Sequence, residues 1–158
     1  MIKELTEKDI KVLKHEKRIG YVLSGLIVAF GGLFNSIYFI LNITHGYNYT
    51  MICLIDIGIL LLARFVCYRI NREFNLDIKS NQKNVLKRIV KRKAAGKKYE
   101  TASTGLFKMK ERDRYLVLSE DRNKYEVDKD FFEKLEKGTE FYVHFAKYSW
   151  TILDYSIK

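Results

Sequence analysis

The sequence predicts an α+β membrane protein, in which a two-helix transmembrane hairpin precedes a small cytoplasmic β-barrel of five or six strands and one short helix. Three features of the 158 residues support this fold class. Two long apolar stretches lie in the N-terminal half, and a run of Lys and Arg follows them. Short segments that alternate apolar and polar residues, typical of strands, make up most of the remainder. The predicted divisions are a basic N-terminal segment (1–18), the hairpin (19–72), a polybasic juxtamembrane segment (73–98) and a β-rich domain (99–158).

Two segments are long and apolar enough to cross a bilayer. Ile19 to Ile43 holds 25 residues without a charge. A helix that rises about 1.5 Å per residue exceeds, over that length, a hydrocarbon core of about 30 Å. Tyr49 to Ile70 is also long enough but contains Asp56 and Arg64. A buried core helix is the weaker interpretation of this second segment, because no soluble domain of matching size is left to bury it.

The distribution of Lys and Arg predicts the orientation of the hairpin. Lys17 and Arg18 precede the first segment, and Arg69 and Arg72 flank the end of the second. The connecting residues 44–50 include no Lys or Arg. Because cytoplasmic flanks have the excess of these residues, we expect both termini on the cytoplasmic side of a bacterial inner membrane.

The polybasic segment predicts contact with anionic lipid headgroups. Between Ile78 and Tyr99 there are nine basic residues and no acidic one. A basic residue near an anionic surface is worth about 1 kcal/mol. Binding of an anionic small molecule remains an alternative, whereas nucleic acid is disfavoured because no aromatic residues interleave for base stacking. The predicted contact residues are Lys83, Lys87, Arg88, Lys91, Arg92, Lys93, Lys97 and Lys98.

A stripe of small residues marks the first apolar segment. Gly25, Ala29, Gly32 and Ser36 follow one another at intervals of 4, 3 and 4 residues. This spacing places them on one helix face, where another helix can approach closely. The stripe either packs against the second helix of the same chain or builds a homo-oligomer, and the sequence leaves both open.

Asp56 is the acidic residue within the apolar segments. In an antiparallel hairpin it lies at the depth of Asn35 and Ser36, so either side chain is a candidate hydrogen-bond donor to it. Carboxylates within a membrane are costly and are functional candidates by default. A polar clamp between the helices and a pore or proton site are both compatible with the sequence.

The C-terminal region predicts strands around one short helix. "RYLVLS" and "KYEVD" form a predicted hairpin, and "EFYVHFA" and "WTILDYSI" are further strands, with His144 pointing outward. Asp128 is the expected N-cap of the helix and Gly138 its end. "KNVLKRIVKRK" fits a helix or a strand, and its β-branched content favours a strand. We expect an exposed loop over residues 93–105 and another strand over residues 105–109.

One part of this region resembles a known class of protein. "KYEVDKDFFEKLEKGTEFYVHFAKYSWTILD" is similar to the tail of small, uncharacterised bacterial two-span membrane proteins. In those, a strand, a short helix, a Gly-containing turn into a strand and a final strand recur. The layout also resembles membrane-bound OB/SH3-like domains of the NfeD type. The resemblance implies a fold and a location, and no catalytic residue.

No catalytic or metal-binding motif is present in the sequence. The three histidines are scattered, so no nucleophilic triad, metal site or cofactor is predicted. We therefore expect no enzymatic activity. The favoured function is a membrane-anchored module that binds a protein or an anionic small molecule. The alternative is a cyclic-nucleotide-gated effector of antiviral defence whose hairpins oligomerise and disrupt the membrane, a comparison based on architecture alone.

Overall fold

The fold combines two long apolar helices with a six-stranded antiparallel sheet. A computed structural model describes residues 1–42, 49–101 and 109–157. Its elements, in chain order, are β1 (Ile2–Glu4), α1 (Glu7–Glu16), α2 (Arg18–Asn42), α3 (Tyr49–Ser80), β2 (Gln82–Thr101), β3 (Met109–Ser119), β4 (Lys124–Val127), α4 (Lys129–Lys134), β5 (Glu140–Ala146) and β6 (Ile152–Ile157).

The chain forms two compact units, each built from more than one segment. The helical unit comprises Glu4–Lys83 together with Ala146–Thr151. The β unit comprises Met1–Lys3, Asn84–Phe145 and Ile152–Lys158. The connection between β5 and β6 therefore belongs to the helical unit, although both strands belong to the sheet.

Helices α2 and α3 are the two predicted apolar helices, and they pack as an antiparallel pair. Close contact depends on two glycines of α2: a Cβ at Gly20 would lie 2.5 Å from Oδ1 of Asn71, and one at Gly31 would lie 2.6 Å from Cδ1 of Ile59. The absence of a side chain at these positions lets the two backbones approach. Helix α3 continues to Ser80, beyond the apolar segment that ends at Ile70.

The N-terminal residues, for which the sequence suggested only a basic segment, form β1 and α1. A reciprocal capping box starts α1: the Thr6 hydroxyl accepts from the amide of Asp9 at 3.3 Å, and the Asp9 carboxylate accepts from the amide of Thr6 at 2.8 Å. This arrangement satisfies two backbone donors that a helix start leaves open. Leu13 is fully buried, so α1 contributes to the core of the helical unit.

The sheet has the strand order β4-β3-β2-β5-β6, with β1 also paired to β2. The long strand β2 lies at the centre of the sheet. Its residues Val90 to Thr101 pair antiparallel with β3. The core of the β unit lies against this sheet and below α4. Its buried residues are Val90, Val117, Tyr125, Val127, Leu135, Phe141 and Val143.

The predicted barrel is wrong for the described strands, because the sheet is open. β4 and β6 are its two ends, and they are only four and six residues long. Across that gap the Tyr155 hydroxyl donates to the Glu126 carbonyl at 3.0 Å, a side-chain bond where closure would need a backbone ladder. Burial raises the pKa of Tyr155 to about 12, so this hydroxyl keeps its proton over the physiological range.

Two local expectations also need correction, and a third lies outside the described residues. The loop expected over residues 93–105 continues β2 as far as Thr101, and the expected strand 105–109 lies largely outside the described residues. Helix α4 starts after Asp128 as expected but ends at Lys134. Gly138 instead adopts a φ of +87° in the following turn, where its amide donates to the carbonyl of Val90 at 2.8 Å. Glycine, which has no Cβ, adopts this left-handed conformation without a steric penalty.

His144 was expected to point outward, and the structure buries it. Its Nε2 lies 2.9 Å from the hydroxyl of Ser156 on the neighbouring strand. The β5–β6 register shifts between His144 and Phe145, so strict alternation of faces fails at this point. No period-2 pattern in the sequence reveals such a bulge.

Candidate functional site

The predicted basic run lies in the central strand β2, where several of its charges have carboxylate partners. Lys83 is almost fully buried and its ammonium lies 2.5 Å from the Asp9 carboxylate. Three further pairs are more exposed: Lys87 with Glu140 at 2.6 Å, Arg88 with Asp121 at 3.1 Å and Lys97 with Glu111 at 2.8 Å. At least half of the eight predicted contact residues are thus in ion pairs within the described part of the protein.

The physical effect of these pairs is visible in two groups outside the helices. The hydrogen bond from Lys87 to Glu140 raises the pKa of the Lys87 ammonium. Partial burial raises the pKa of Asp121, but hydrogen bonds from Ser119 and Asn123 and the charge of Arg88 outweigh it, so the net pKa is lowered. Both groups are therefore held in their charged forms by internal partners.

The other basic residues of the run fall into two sets. Lys93 donates to the Leu135 carbonyl at 2.6 Å, and its ammonium lies 4.3 Å from the centre of the Phe132 ring, so this cation is used within the β unit. Lys91 and Arg92 have exposed side chains. These two are the members of the run best placed to meet an external anion.

The small-residue stripe of α2 faces away from α3. Gly25, Ala29, Gly32 and Ser36 are all exposed, and a Cβ added at Gly25 or Gly32 would meet nothing within 4 Å among the described residues. The Ser36 hydroxyl donates to the carbonyl of Gly32 on its own helix at 2.9 Å. The two alternatives for the stripe are therefore unequal: within the single chain it has no helix packed on it in the described part of the structure.

Asp56 is bonded by one of its two candidate donors. The amide of Asn35 donates to a carboxylate oxygen of Asp56, which joins α2 to α3 at mid-helix, while Ser36 bonds elsewhere. Asp56 is nevertheless exposed on the surface of the helix pair. A shallow pocket that also includes Phe39 and Ile52 surrounds this polar pair.

A second polar constellation, which the sequence reasoning missed, is formed by Asp77 near the end of α3. The carboxylate is fully buried and accepts two backbone hydrogen bonds, from the amide of Tyr148 at 2.7 Å and from that of Ser149 at 3.0 Å. Lys147 of the same loop donates to the Gln82 side chain at 2.8 Å. Helix α3 thereby fixes the loop 146–151, which we call the anchored loop.

A groove of about 490 Å³ lies between α3 and the anchored loop. Arg69, Ile70, Arg72, Glu73, Leu76 and Tyr148 line it. The α3 residues recur at helical spacing and so form one face. Two guanidinium groups against one carboxylate make the lining net positive. A groove of this composition fits an anionic group attached to an apolar body.

No sequence signal pointed to Asp77 or to the groove. Asp77 is a single acid in a polar helix end, and its partners are 71 and 72 residues away in the chain. Arg69 and Arg72 were noted only as charges that set the orientation. Within the described residues, no three His, Cys, Asp or Glu side chains cluster as metal ligands.

The chain matches no protein-family model, no curated protein and no solved structure. The resemblance to two-span proteins with NfeD-type tails therefore remains a prediction. The structure itself defines an α+β protein with two helices long and apolar enough to span a membrane and an open antiparallel sheet.

Proposed function

We propose that this protein is a membrane-anchored binding module: helices α2 and α3 insert into a bilayer as a hairpin, and the β unit is presented at the cytoplasmic surface to a protein or an anionic small molecule. The supporting observation is the exposure of apolar side chains along both helices. Phe30, Ile40 and Leu54 each expose about two thirds of their surface. The apolar helix of a soluble core would bury such residues, and soluble proteins rarely expose an apolar surface this extensive.

The charge distribution supports the orientation. Lys17 and Arg18 stand at the start of α2, and Arg69 and Arg72 at the end of the apolar part of α3. The connecting residues 44–48, which lie outside the described structure, contain no Lys or Arg. Both helix ends that join the rest of the chain then lie on the same, cytoplasmic side.

A pair of reporter fusions tests this proposal. An enzyme that is active only outside the cytoplasmic membrane should be silent when fused after Lys158 and active when inserted in residues 44–48. The protein should also stay with the membranes after alkaline extraction. Activity of the fusion after Lys158, or release of the protein by alkali, would contradict the proposal.

The exposed stripe favours a second candidate, in which hairpins assemble into an oligomer that alters membrane permeability in response to an anionic ligand. Gly25, Ala29, Gly32 and Ser36 present a surface that permits close helix approach and that the chain's own α3 does not use. The exposed Asp56 lies beside Ser36 and could line a polar path in such an assembly.

Asp56→Asn separates this second candidate from simple anchoring. Asparagine preserves the size and polarity of the side chain and removes the charge. If Asp56 lines a path, the variant assembles normally but permeability to a membrane-impermeant dye changes in cells that express it. If cells that express the wild type and cells that express the variant are equally impermeable to the dye under every expression condition, the anchored module is the better account.

A further inference from the structure

We propose that the groove between α3 and the anchored loop binds the phosphate-bearing headgroup of an anionic phospholipid. The inference rests on the proposed membrane insertion and goes beyond it, since it names the class of lipid and the residues that select it. Two arginines supply the recognition, and an aromatic residue of the loop closes the site.

The position of the arginines along α3 is the first argument. The apolar segment of α3 ends at Ile70, so Arg69 and Arg72 stand at the level where hydrocarbon gives way to headgroups. They are one turn apart and line the same groove. A guanidinium group presents a planar set of donors that matches two phosphate oxygens, which an ammonium group does not. Glu73 on the same wall leaves the lining net positive and disfavours a ligand of high charge.

The preorganisation of the opposite wall is the second argument. The buried Asp77 holds the amides of Tyr148 and Ser149, so the loop keeps its shape without a ligand. Tyr148 and Trp150 nevertheless expose 40% and 59% of their surface. Aromatic rings with one polar edge concentrate at membrane–water interfaces. Their place on a loop fixed to the end of α3 fits that environment.

The backbone of Trp150 adds a third observation. Its φ of +56° lies in the left-handed region, which a bulky residue rarely adopts. Such conformations persist where the surroundings hold them, and they cluster at functional loops. Lys147 lies 5.4 Å from the centre of the Tyr148 ring and adds a further cation to the loop. The anchored loop thus combines aromatic rings and positive charge at the predicted headgroup level.

The basic strand β2 is a weaker place for lipid. Lys83, Lys87, Arg88 and Lys97 have carboxylate partners within the protein. An anionic headgroup would have to compete with those carboxylates, whereas none of the described ion pairs engages Arg69 or Arg72. Lys91 and Arg92 are both exposed on β2 and, like Arg69 and Arg72, take part in none of the described ion pairs. This pair has the same total charge as the two arginines and is therefore the competing site that the experiment has to exclude.

Trp150 makes the site measurable, because it is the single tryptophan of the chain. The full-length protein is reconstituted in vesicles of equal phosphatidylglycerol and phosphatidylcholine, with bromine in the acyl chains of one lipid or the other. Bromine quenches tryptophan at short range. We expect stronger quenching when phosphatidylglycerol is the brominated lipid, since the groove concentrates it beside the loop.

Substitutions of the groove arginines test whether the groove causes the preference for phosphatidylglycerol. Arg69→Gln/Arg72→Gln should lower the preference for phosphatidylglycerol by about fivefold per arginine, the equivalent of the effect of one basic residue at an anionic surface. Arg69→Lys/Arg72→Lys, which preserves the charge, should lower it less. Lys91→Gln/Arg92→Gln, at the competing site on β2, should lower it less than Arg69→Gln/Arg72→Gln does. Loss of the preference in the β2 variant, and not in the groove variants, would overturn the proposal in favour of β2.

The remaining outcomes distinguish this inference from the proposed function. Equal quenching by both lipids in the wild type would overturn the lipid preference and leave membrane insertion intact. Absence of quenching by either lipid would show that the anchored loop does not lie at the bilayer surface and would overturn this inference, while the reporter fusions and the alkaline extraction decide insertion separately. Binding of soluble glycerol phosphate to the detergent-solubilised protein, together with equal quenching by both lipids in vesicles, would show that the groove binds a free phosphate compound and would overturn the assignment to a lipid.

Discussion

At the scale of single residues, Asp77 and Asp9 show how a buried carboxylate organises distant chain segments. Asp77 satisfies two amides of the anchored loop, and Asp9 both caps α1 and pairs with Lys83 at the start of β2. Buried charges are tolerated only with partners of this kind. Removal of either carboxylate should therefore lower the free energy of unfolding more than removal of a carboxylate from an exposed ion pair.

Replacement of Asp77 by Ala should release the anchored loop. The amides of Tyr148 and Ser149 would lose their acceptor, at a cost of about 1–3 kcal/mol in the free energy of unfolding. Hydrogen exchange of the full chain in detergent should show faster exchange over residues 146–151. Asp77→Asn should have a smaller effect, since its amide retains one oxygen acceptor. Asp113→Ala, on an exposed position of β3, is the control; equal exchange in all three variants would refute the anchoring role.

Replacement of Asp9 by Asn should destabilise the helical unit because it leaves the buried ammonium of Lys83 without its counter-charge. Breaking a buried pair in this way costs about 3–5 kcal/mol, whereas exposed pairs are worth about 0–1 kcal/mol. We expect a large drop in the thermal midpoint for Asp9→Asn and a small one for Glu111→Gln, which removes the exposed pair with Lys97.

The double variant Asp9→Asn/Lys83→Met provides the control for that experiment. Methionine fits an apolar interior without a charge, so this variant should recover part of the midpoint lost in Asp9→Asn. A double variant less stable than the single one would show that Lys83 stabilises the protein by contacts other than the pair with Asp9.

At the scale of elements, adjacent glycines of α2 have opposite surroundings. Gly31 contacts Ile59 of α3, whereas Gly32 lies on the open stripe. Gly31→Leu should therefore separate the two helices and lower the stability of the detergent-solubilised monomer. Gly32→Leu should leave the monomer intact and weaken only association between copies, which crosslinking in membranes measures. A lower stability of the monomer in Gly32→Leu would contradict this division. So would a wild type that forms crosslinked oligomers together with a Gly32→Leu variant that forms them equally well.

The elements also show which features a sequence can predict. Long apolar runs predicted α2 and α3, and alternation predicted β3 to β6, because each pattern repeats within one element. The strand assigned to "KNVLKRIVKRK" is confirmed by β2. Helix α1 was missed although Thr6 and Asp9 match a capping box, because its surface is charged and Leu13 is its one buried apolar residue. The open sheet and the bond from Asn35 to Asp56 depend on partners far apart in the chain.

At the scale of the whole molecule, less of the formal charge of +10 is available to bind external anions than its size suggests. The basic run that accounts for most of it forms the central strand, where neighbouring carboxylates meet part of its charge. Most of β2 lies before residue 99, where the sequence predicted the β-rich domain to begin, so the sheet depends on residues outside that predicted domain. A β-rich domain of residues 99–158 alone would lack most of β2.

The effect of truncation follows from that dependence. Strand β2 lies between β3 and β5 and supplies Val90 to the core, so fragment 99–158 would hold two separate hairpins without their shared neighbour. Isolated hairpins are marginally stable at best. We expect this fragment to give the narrow amide chemical-shift dispersion of an unfolded chain, whereas fragment 81–158, which retains β2 to β6, gives a dispersed spectrum. Val90→Asp in the longer fragment should collapse that dispersion, because the charge would lie in the buried core. A dispersed spectrum from fragment 99–158 would show that the other strands form the unit without β2.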